Sequence, residues 1–434
     1  MSLSDFSPFK VIVEAVGIVT SRGKLKRVIA TPLYSNAFYL MLNTAVISLL
    51  GFFFWVVVAR FYTEAEVGFS SAIISAISLL SLAGLAGLNI SLVRFLPRSD
   101  SPQDLINSCC TLGGLLSLVL AGVFLVGLDF WSPALVFVRQ NAIFVSAFIV
   151  FTILWTLSSM VDFAFIAWRR ASFTLFRNII FSVLRLLLPI LFVRYFHAFG
   201  IVASWGIAAA IAVAVAIFVF LPKVQSSYKL LPTLKLNLLK GTWGYSGGNY
   251  LANLFMACPG SILPLMAVNI LGAEQNAYFY IAWMMAGLLF AIPSGVSQSL
   301  FAEGSHFKDK LRENVARSLK FTFLLLIPAV IVLILVSKWL LLVFGQSYSA
   351  NALHLLWILS LSSLPSALNY IYTGILQVAG RIKELVAMWG FIVLVLLLGS
   401  YLIMPAAGII SIGYAWLGAQ TAAAIYVLVR RLSV

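Results

Sequence analysis

Uninterrupted apolar runs of about 20 residues recur along the whole chain, and they restrict the fold more than any motif does. With a rise of about 1.5 Å per residue, such a run crosses a hydrocarbon core of about 30 Å as an α-helix. A closed barrel also satisfies the backbone in lipid, but its strands read as alternating runs of about 10 residues. The runs here are continuous. Composition points the same way: 62% of the 434 residues are hydrophobic and 9% are charged, against about 45–50% and about 25% in soluble domains. A soluble fold of this size could not hide so much apolar surface, so lipid is the expected solvent. The expected fold is all-α and polytopic, with about twelve transmembrane helices in two six-helix bundles related by a pseudo-twofold along the membrane normal.

The runs place spans at Asn36–Arg60, Val67–Phe95, Leu105–Leu128, Asn141–Trp168, Leu175–Arg194 and Gly200–Leu221. After a polar linker, further spans fall at Trp243–Leu271, Tyr278–Phe301, Ala316–Val336, Leu353–Val378, Leu385–Ile403 and Gly408–Val429. Shifting the chain by 210 residues lays Asn43 on Asn253, Gly68 on Tyr278 and the loop at Arg98 on that at Lys308. In both halves the first span ends in an acidic turn, Thr63-Glu-Ala-Glu in one and Gly272-Ala-Glu-Gln in the other. The expected domains are an interfacial N-terminal segment 1–34, a bundle 35–221, a cytoplasmic linker 222–240 and a bundle 241–434.

A net charge of +15 would suit a nucleic-acid partner in a soluble protein. In a membrane protein the same excess follows from Lys and Arg gathering in cytoplasmic loops. With both termini inside, 23 of the 28 basic residues fall in inside segments. Arg60, Arg139, Arg194 and Lys338 fall outside, and Arg185 lies within a span. This asymmetry gives a multi-pass cell-membrane protein with cytoplasmic termini and no nucleic-acid partner. Near the N-terminus, the apolar stretch Val11–Thr20 precedes the cluster Arg22, Lys24, Lys26, Arg27. That order is the reverse of a cleaved signal, and a segment held by anionic membrane lipid fits it better. The stretch Glu303–Lys320 reads as an amphipathic surface helix, with Phe307, Leu311, Val315 and Leu319 on one stripe.

Ionisable groups inside a membrane are expensive and mark function or pairing. Asp162 in span four and Arg185 in span five are equidistant from a loop midpoint near Phe173, so an antiparallel hairpin brings them to similar depth as an ion pair. Two roles are open for that pair: a static clamp, or a cavity-facing Arg185 that meets an anionic headgroup while Asp162 modulates it or exchanges a proton. Asn36 and Asn43 share one face of span one, as Asn249 and Asn253 do on span seven. Span ten carries Ser360, Ser362, Ser363, Ser366, Asn369, Tyr372, Thr373 and Gln377. Such groups line a hydrated, sugar-binding cavity or act as interhelical glue. Pro259, Gly260 and Pro264 interrupt span seven and form the candidate hinge.

No phosphate-cradling GxxxxGK[ST] motif is present, and neither is a serine elbow or a His/Asp/Glu set with ligand spacing. Cys109, Cys110 and Cys258 all lie in apolar runs without metal-ligand spacing. No enzyme, metal or cofactor is expected.

The stretch Asn36–Pro97 carries Gly51-Phe-Phe-Phe-Trp, Ala59-Arg-Phe-Tyr-Thr-Glu-Ala-Glu-Val-Gly and Gly87-Leu-Asn-Ile-Ser-Leu-Val-Arg-Phe-Leu-Pro. With Ser299-Leu-Phe-Ala-Glu-Gly-Ser it resembles the polysaccharide or lipid-linked oligosaccharide flippases (Wzx-like) of the multidrug/oligosaccharidyl-lipid/polysaccharide exporter superfamily. The resemblance implies alternating access and a lipid-linked oligosaccharide substrate, typically on a polyprenyl pyrophosphate. It also implies a cationic lumen, for which Arg185 and the span-end residues Arg60 and Arg94 are the candidates, and glycan-assembly partner proteins. A multidrug exporter of the same superfamily and a membrane-embedded glycan polymerase or ligase are the rival readings.

Overall fold

The computed structural model describes residues 32–226, 228–235, 243–306 and 311–429. Within them, twelve helices are long and apolar enough to cross a membrane. In the first half these are α1 (Pro32–Phe61), α2 (Glu64–Leu85), α3 (Pro102–Val126), α4 (Ala142–Ala167), α5 (Ala171–Arg194) and α6 (Phe199–Val224). In the second they are α7 (Trp243–Ile270), α8 (Ala273–His306), α9 (Leu311–Phe344), α10 (Leu353–Val378), α11 (Ile382–Ala407) and α12 (Ile410–Val429). Large apolar side chains such as Leu335 (66% exposed) and Leu402 (73%) stand on the outside, a surface that lipid solvates without loss. The chain is a multi-pass α-helical membrane protein. Twelve spans put the described ends on one face, called the terminal face below; the other is the distal face. The expected N-terminal interfacial segment, linker residues 236–242, residues 307–310 with Phe307, and Arg430 and Arg431 lie outside the described residues.

Local chemistry sets the helix ends. The acidic turn after α1 is a capping box: the Thr63 N–H donates to Glu66 Oε2 at 2.9 Å and the Glu66 N–H donates to Thr63 Oγ1 at 3.3 Å. Asn141 starts α4 by accepting the Ile143 N–H at 2.8 Å. Between α5 and α6 the chain turns at His197 (φ 45°, ψ −138°) with almost no loop. Tyr62, in the α1–α2 turn, donates its hydroxyl to the Pro189 carbonyl of α5 at 2.8 Å. Burial, with the charge of Glu66 second, pushes that phenol up to about 12, so it stays a donor at neutral pH.

Two elements differ from the sequence reading. Span two is not continuous to Phe95: α2 stops at Leu85, Ala86 (φ 45°) and Gly87 (φ 78°) enter the left-handed region, and a short helix Leu88–Phe95 follows. The run stays apolar across the break, so hydropathy does not register it; the glycine that lowers the steric cost does. Nor is there a separate amphipathic helix before span nine in the described residues. Leu311 and Val315 are buried in the first turns of α9, which runs unbroken to Phe344.

The two halves repeat. Glu64 and Ala273, Pro102 and Leu311, Ala171 and Ile382, and Phe199 and Ile410 begin corresponding helices, each pair 209 or 211 residues apart. The same neighbours recur as well. α1 packs on α5 as α7 packs on α11, and α3 packs on α4 as α9 packs on α10. The halves meet where α2 packs on α7 and α8. There Gly68 lies so close to α8 that a Cβ would overlap the Ala273 carbonyl. The connection Tyr228–Lys235 runs along α3: Tyr228 donates to Asn107 Oδ1 at 2.7 Å, and the Lys235 ammonium pairs with Asp104 at 2.5 Å.

Candidate functional site between the two halves

The distal ends of the halves are pinned together. Arg60, at the end of α1, donates to the carbonyls of Val343 and Leu342 in α9, both at 2.7 Å. Ser347 donates to Glu64 at 2.5 Å. Asn276 of α8 donates to the Gly68 carbonyl at 2.7 Å and to Ser71 Oγ at 3.1 Å. Asn269 of α7 accepts the Ala134 N–H at 2.9 Å. Nearer mid-depth, the rings of Trp55 and Tyr280 meet at 4.6 Å. Toward the terminal face, the Tyr250 hydroxyl of α7 reaches the Leu82 and Ala83 carbonyls at 3.1 and 3.0 Å, at the break in α2 where the Ala86 N–H has turned to Ala83.

Arg185 lies along this seam without an acid. It is 8% exposed, and its guanidinium stacks over Phe181 at 4.7 Å and Phe54 at 5.3 Å. Its Nε has no hydrogen-bond partner. Among the described residues no carboxylate is within ion-pair distance of it. One guanidinium nitrogen sits against Gly51, where a Cβ would come to 3.0 Å. Tyr280, from the other half, is within electrostatic reach. The aromatic faces compensate part of the desolvation of this charge, and the rest is left over.

The expected Asp162–Arg185 ion pair does not form. Asp162 pairs instead with Arg177, whose Nε and Nη2 reach the two carboxylate oxygens at 2.9 and 2.5 Å. The reason is the position of the turn. α4 ends at Ala167 and α5 begins at Ala171, so the hairpin pivots at Arg169 rather than near Phe173. Reflection about Arg169 carries Asp162 to the Arg177 region, and Arg185 lies about 12 Å deeper. Arg177 is 3% exposed, also donates to Ser158, and contacts Asn178 Oδ1 at 2.5 Å. The adjacent arginines after Trp168 are the signal that marks the true turn.

Asn43 joins this cluster by accepting the Asn178 amide at 2.8 Å. Asn253, its counterpart under the repeat, is exposed on α7 and Asn249 is half-buried, so the register of the pair survives but their surroundings differ. Asn36 accepts the Ala171 N–H at 3.0 Å and thereby caps α5. Arg94 is exposed near the terminal face, with its guanidinium 5.5 Å from the Phe95 ring. α7 runs helical through Pro259, Gly260 and Pro264. The span-ten serines 360, 362, 363 and 366 are wholly buried and donate to carbonyls of their own helix, so they pack rather than line a cavity. Arg177, Asn178, Phe54, Phe181, Tyr250 and Tyr280 are the site residues that hydropathy alone does not reveal.

Residues 249–402 match the family model MatE, about a third of the chain. The "Putative O-antigen transporter" of Shigella flexneri is 30% identical over 118 residues, 26% of this chain and 28% of that protein, so the match spans under a third of the relative. The lipid II flippase MurJ in an inward closed conformation superposes with a TM-score of 0.69 at 14% identity, covering 91% of this chain and 87% of that one. A multidrug resistance MATE family transporter of the MOP superfamily, inward-facing, gives 0.68 at 15% identity over 89% and 94% of the two chains. The family model thus matches part of the second half, and the solved structures share the fold of nearly the whole chain.

Proposed function

We propose that the protein is a flippase that carries a lipid-linked oligosaccharide of the polyprenyl pyrophosphate type from the cytoplasmic to the outer leaflet. It works by alternating access between the two halves, for surface polysaccharide synthesis. The observation that carries this reading is Arg185: a guanidinium buried on the seam between the halves with no carboxylate of the described residues in reach. A desolvated cation without a counter-charge gains most from a mobile anion, and a pyrophosphate offers bidentate acceptors. Export of organic cations calls for an available acid instead. Asp162, the acid within span four, is already paired with Arg177. The partial likeness to the O-antigen transporter and the fold shared with the lipid II flippase support the same reading.

The terminal face is then cytoplasmic, since it gathers Arg94, Arg98, Arg169, Arg170, Lys223, Lys229 and Lys235. The exposed Asn253 and the half-buried Asn249 hydrogen-bond the glycan, and Pro259, Gly260 and Pro264 let α7 flex as the cleft changes sides. Glycan-assembly proteins deliver and receive the substrate. The test is surface glycan output with leaflet analysis of the lipid-linked intermediate, in cells producing variants at normal levels. Arg185→Gln is expected to trap the intermediate on the cytoplasmic side while Cys109→Ala leaves export intact. Normal export from Arg185→Gln would sink the proposal, and lost drug efflux with unchanged glycan would favour the multidrug reading.

A further inference from the structure

The α4–α5 turn carries a residue its own backbone disfavours. The Arg169 N–H donates to the Ile166 carbonyl at 3.0 Å and the Arg170 N–H to the Phe165 carbonyl at 2.8 Å, the paired bonds that close a helix on a left-handed residue. That residue is Arg169, at φ 55°. The repeat shows what the fold does when only geometry matters. In the corresponding α10–α11 turn, 211 residues on, Gly380 (φ 69°) makes the same bond to Gln377 at 3.2 Å and Arg381 bonds Leu376 at 2.9 Å. Glycine adopts this conformation without a steric penalty, and arginine does not. A strained position kept by a long cation is a reason to look for what the cation binds.

Arg169 lines a cavity of about 550 Å³ at the terminal face, together with Asn36, Val93, Pro97 and Trp168. No acid lines it. Asn36 has its carboxamide oxygen committed to the Ala171 N–H, so what it offers a guest is its NH2 group. Trp168 is the kind of side chain that settles at headgroup depth, and Val93 and Pro97 supply an apolar wall. Of the charges nearby in the chain, Arg94, Arg98 and Arg170 share the sign of Arg169 and the exposed Asp100 opposes it. The side chains of Arg169 and Asn36 offer donors, so the guest that suits them is an oxyanion, and a cavity beside Trp168 at the terminal face suits a lipid phosphate.

We infer that this cavity is a binding site for a phosphate group at the cytoplasmic headgroup level, with Arg169 as its principal ligand and Asn36 as a second donor. It is separate from Arg185, which lies about fourteen helical rises into α5 from Ala171. The inference does not depend on what is translocated.

The test uses the delipidated full-length protein, reconstituted in nanodiscs of phosphatidylcholine doped with phosphatidic acid, and native mass spectrometry of retained lipid. Wild type is expected to retain phosphatidic acid over phosphatidylcholine, and Arg169→Gly to lose that preference by about tenfold. Arg169→Gly copies the second half and relieves the backbone, so a fold no less stable than wild type together with lost retention separates binding from structure. Arg169→Lys should keep part of the preference, and Arg194→Gln, at the distal face, all of it. Inorganic pyrophosphate is the free-anion arm. Displacement of the lipid by it assigns recognition to the phosphate alone, whereas retention that it does not displace assigns the site to a lipid. Equal phosphatidic acid retention by wild type and Arg169→Gly overturns the inference.

Discussion

The two halves solve one packing problem with different chemistry. In the first, α4 and α5 are joined by the Asp162–Arg177 pair, with Ser158 and Asn178 attached. The residues 211 positions on are Thr373 for Asp162, Met388 for Arg177, Asn369 for Ser158 and Trp389 for Asn178. Here the indole of Trp389 donates to Thr373 at 2.9 Å, and Asn369 turns to Gln420 of α12 at 2.7 Å. At these positions the contact is thus ionic in one half and neutral in the other, where the carboxylate sits nearer the turn and Tyr372 donates to Glu384 at 2.6 Å. Leu396 stands where Arg185 would be. The neutral version shows that the fold does not require charge at these places. Charge in the first half has therefore been retained at an energetic disadvantage, which is the usual mark of function inside a membrane.

The sharpest way to break the comparison is to convert one half into the other. Arg177→Met alone strands a buried carboxylate and is expected to lower stability by about 3–5 kcal/mol, seen as a fall in the melting temperature of the detergent-purified protein. The double variant Asp162→Thr with Arg177→Met copies the second half and should recover to within about 1–2 kcal/mol of wild type. Failure to recover would mean that the first half needs its charges to fold. Arg185→Leu copies Leu396 and removes an uncompensated charge, so melting should rise by the equivalent of about 1–3 kcal/mol while glycan export is lost. A stability loss instead would reveal a structural partner for this cation.

Smaller effects test the neutral half. Trp389→Phe removes one buried indole donor and strands nothing charged, and it should lower stability by about 0.5–1.5 kcal/mol in the same melt. The equivalent asparagines should part company last. Asn43→Leu leaves the Asn178 amide without its acceptor and costs about 1 kcal/mol, whereas Asn253→Leu on its exposed site stays within about 0.5 kcal/mol. Equal costs would erase the distinction between a packed and an exposed asparagine.

Much of this architecture was legible in the sequence, and the boundary between what was and what was not has a physical cause. The number, order and rough limits of the spans, the repeat at 210 residues and the acidic turn after span one are one-dimensional properties: transfer of a helix into lipid depends on its own composition. Which side chains meet is not such a property. When a helix is apolar around its whole circumference, its pattern carries little information on rotation. A four-residue error in the pivot of the α4–α5 hairpin was then enough to pair Asp162 with the wrong arginine. The serines of span ten could be counted but not oriented, and their turn onto their own carbonyls emerges only with the packed helix. The break at Ala86–Gly87 hides inside an apolar run because backbone dihedrals leave no trace in hydropathy. The isolation of Arg185 is a tertiary fact in the fullest sense, since the absence of an acid around it depends on every helix packed near it.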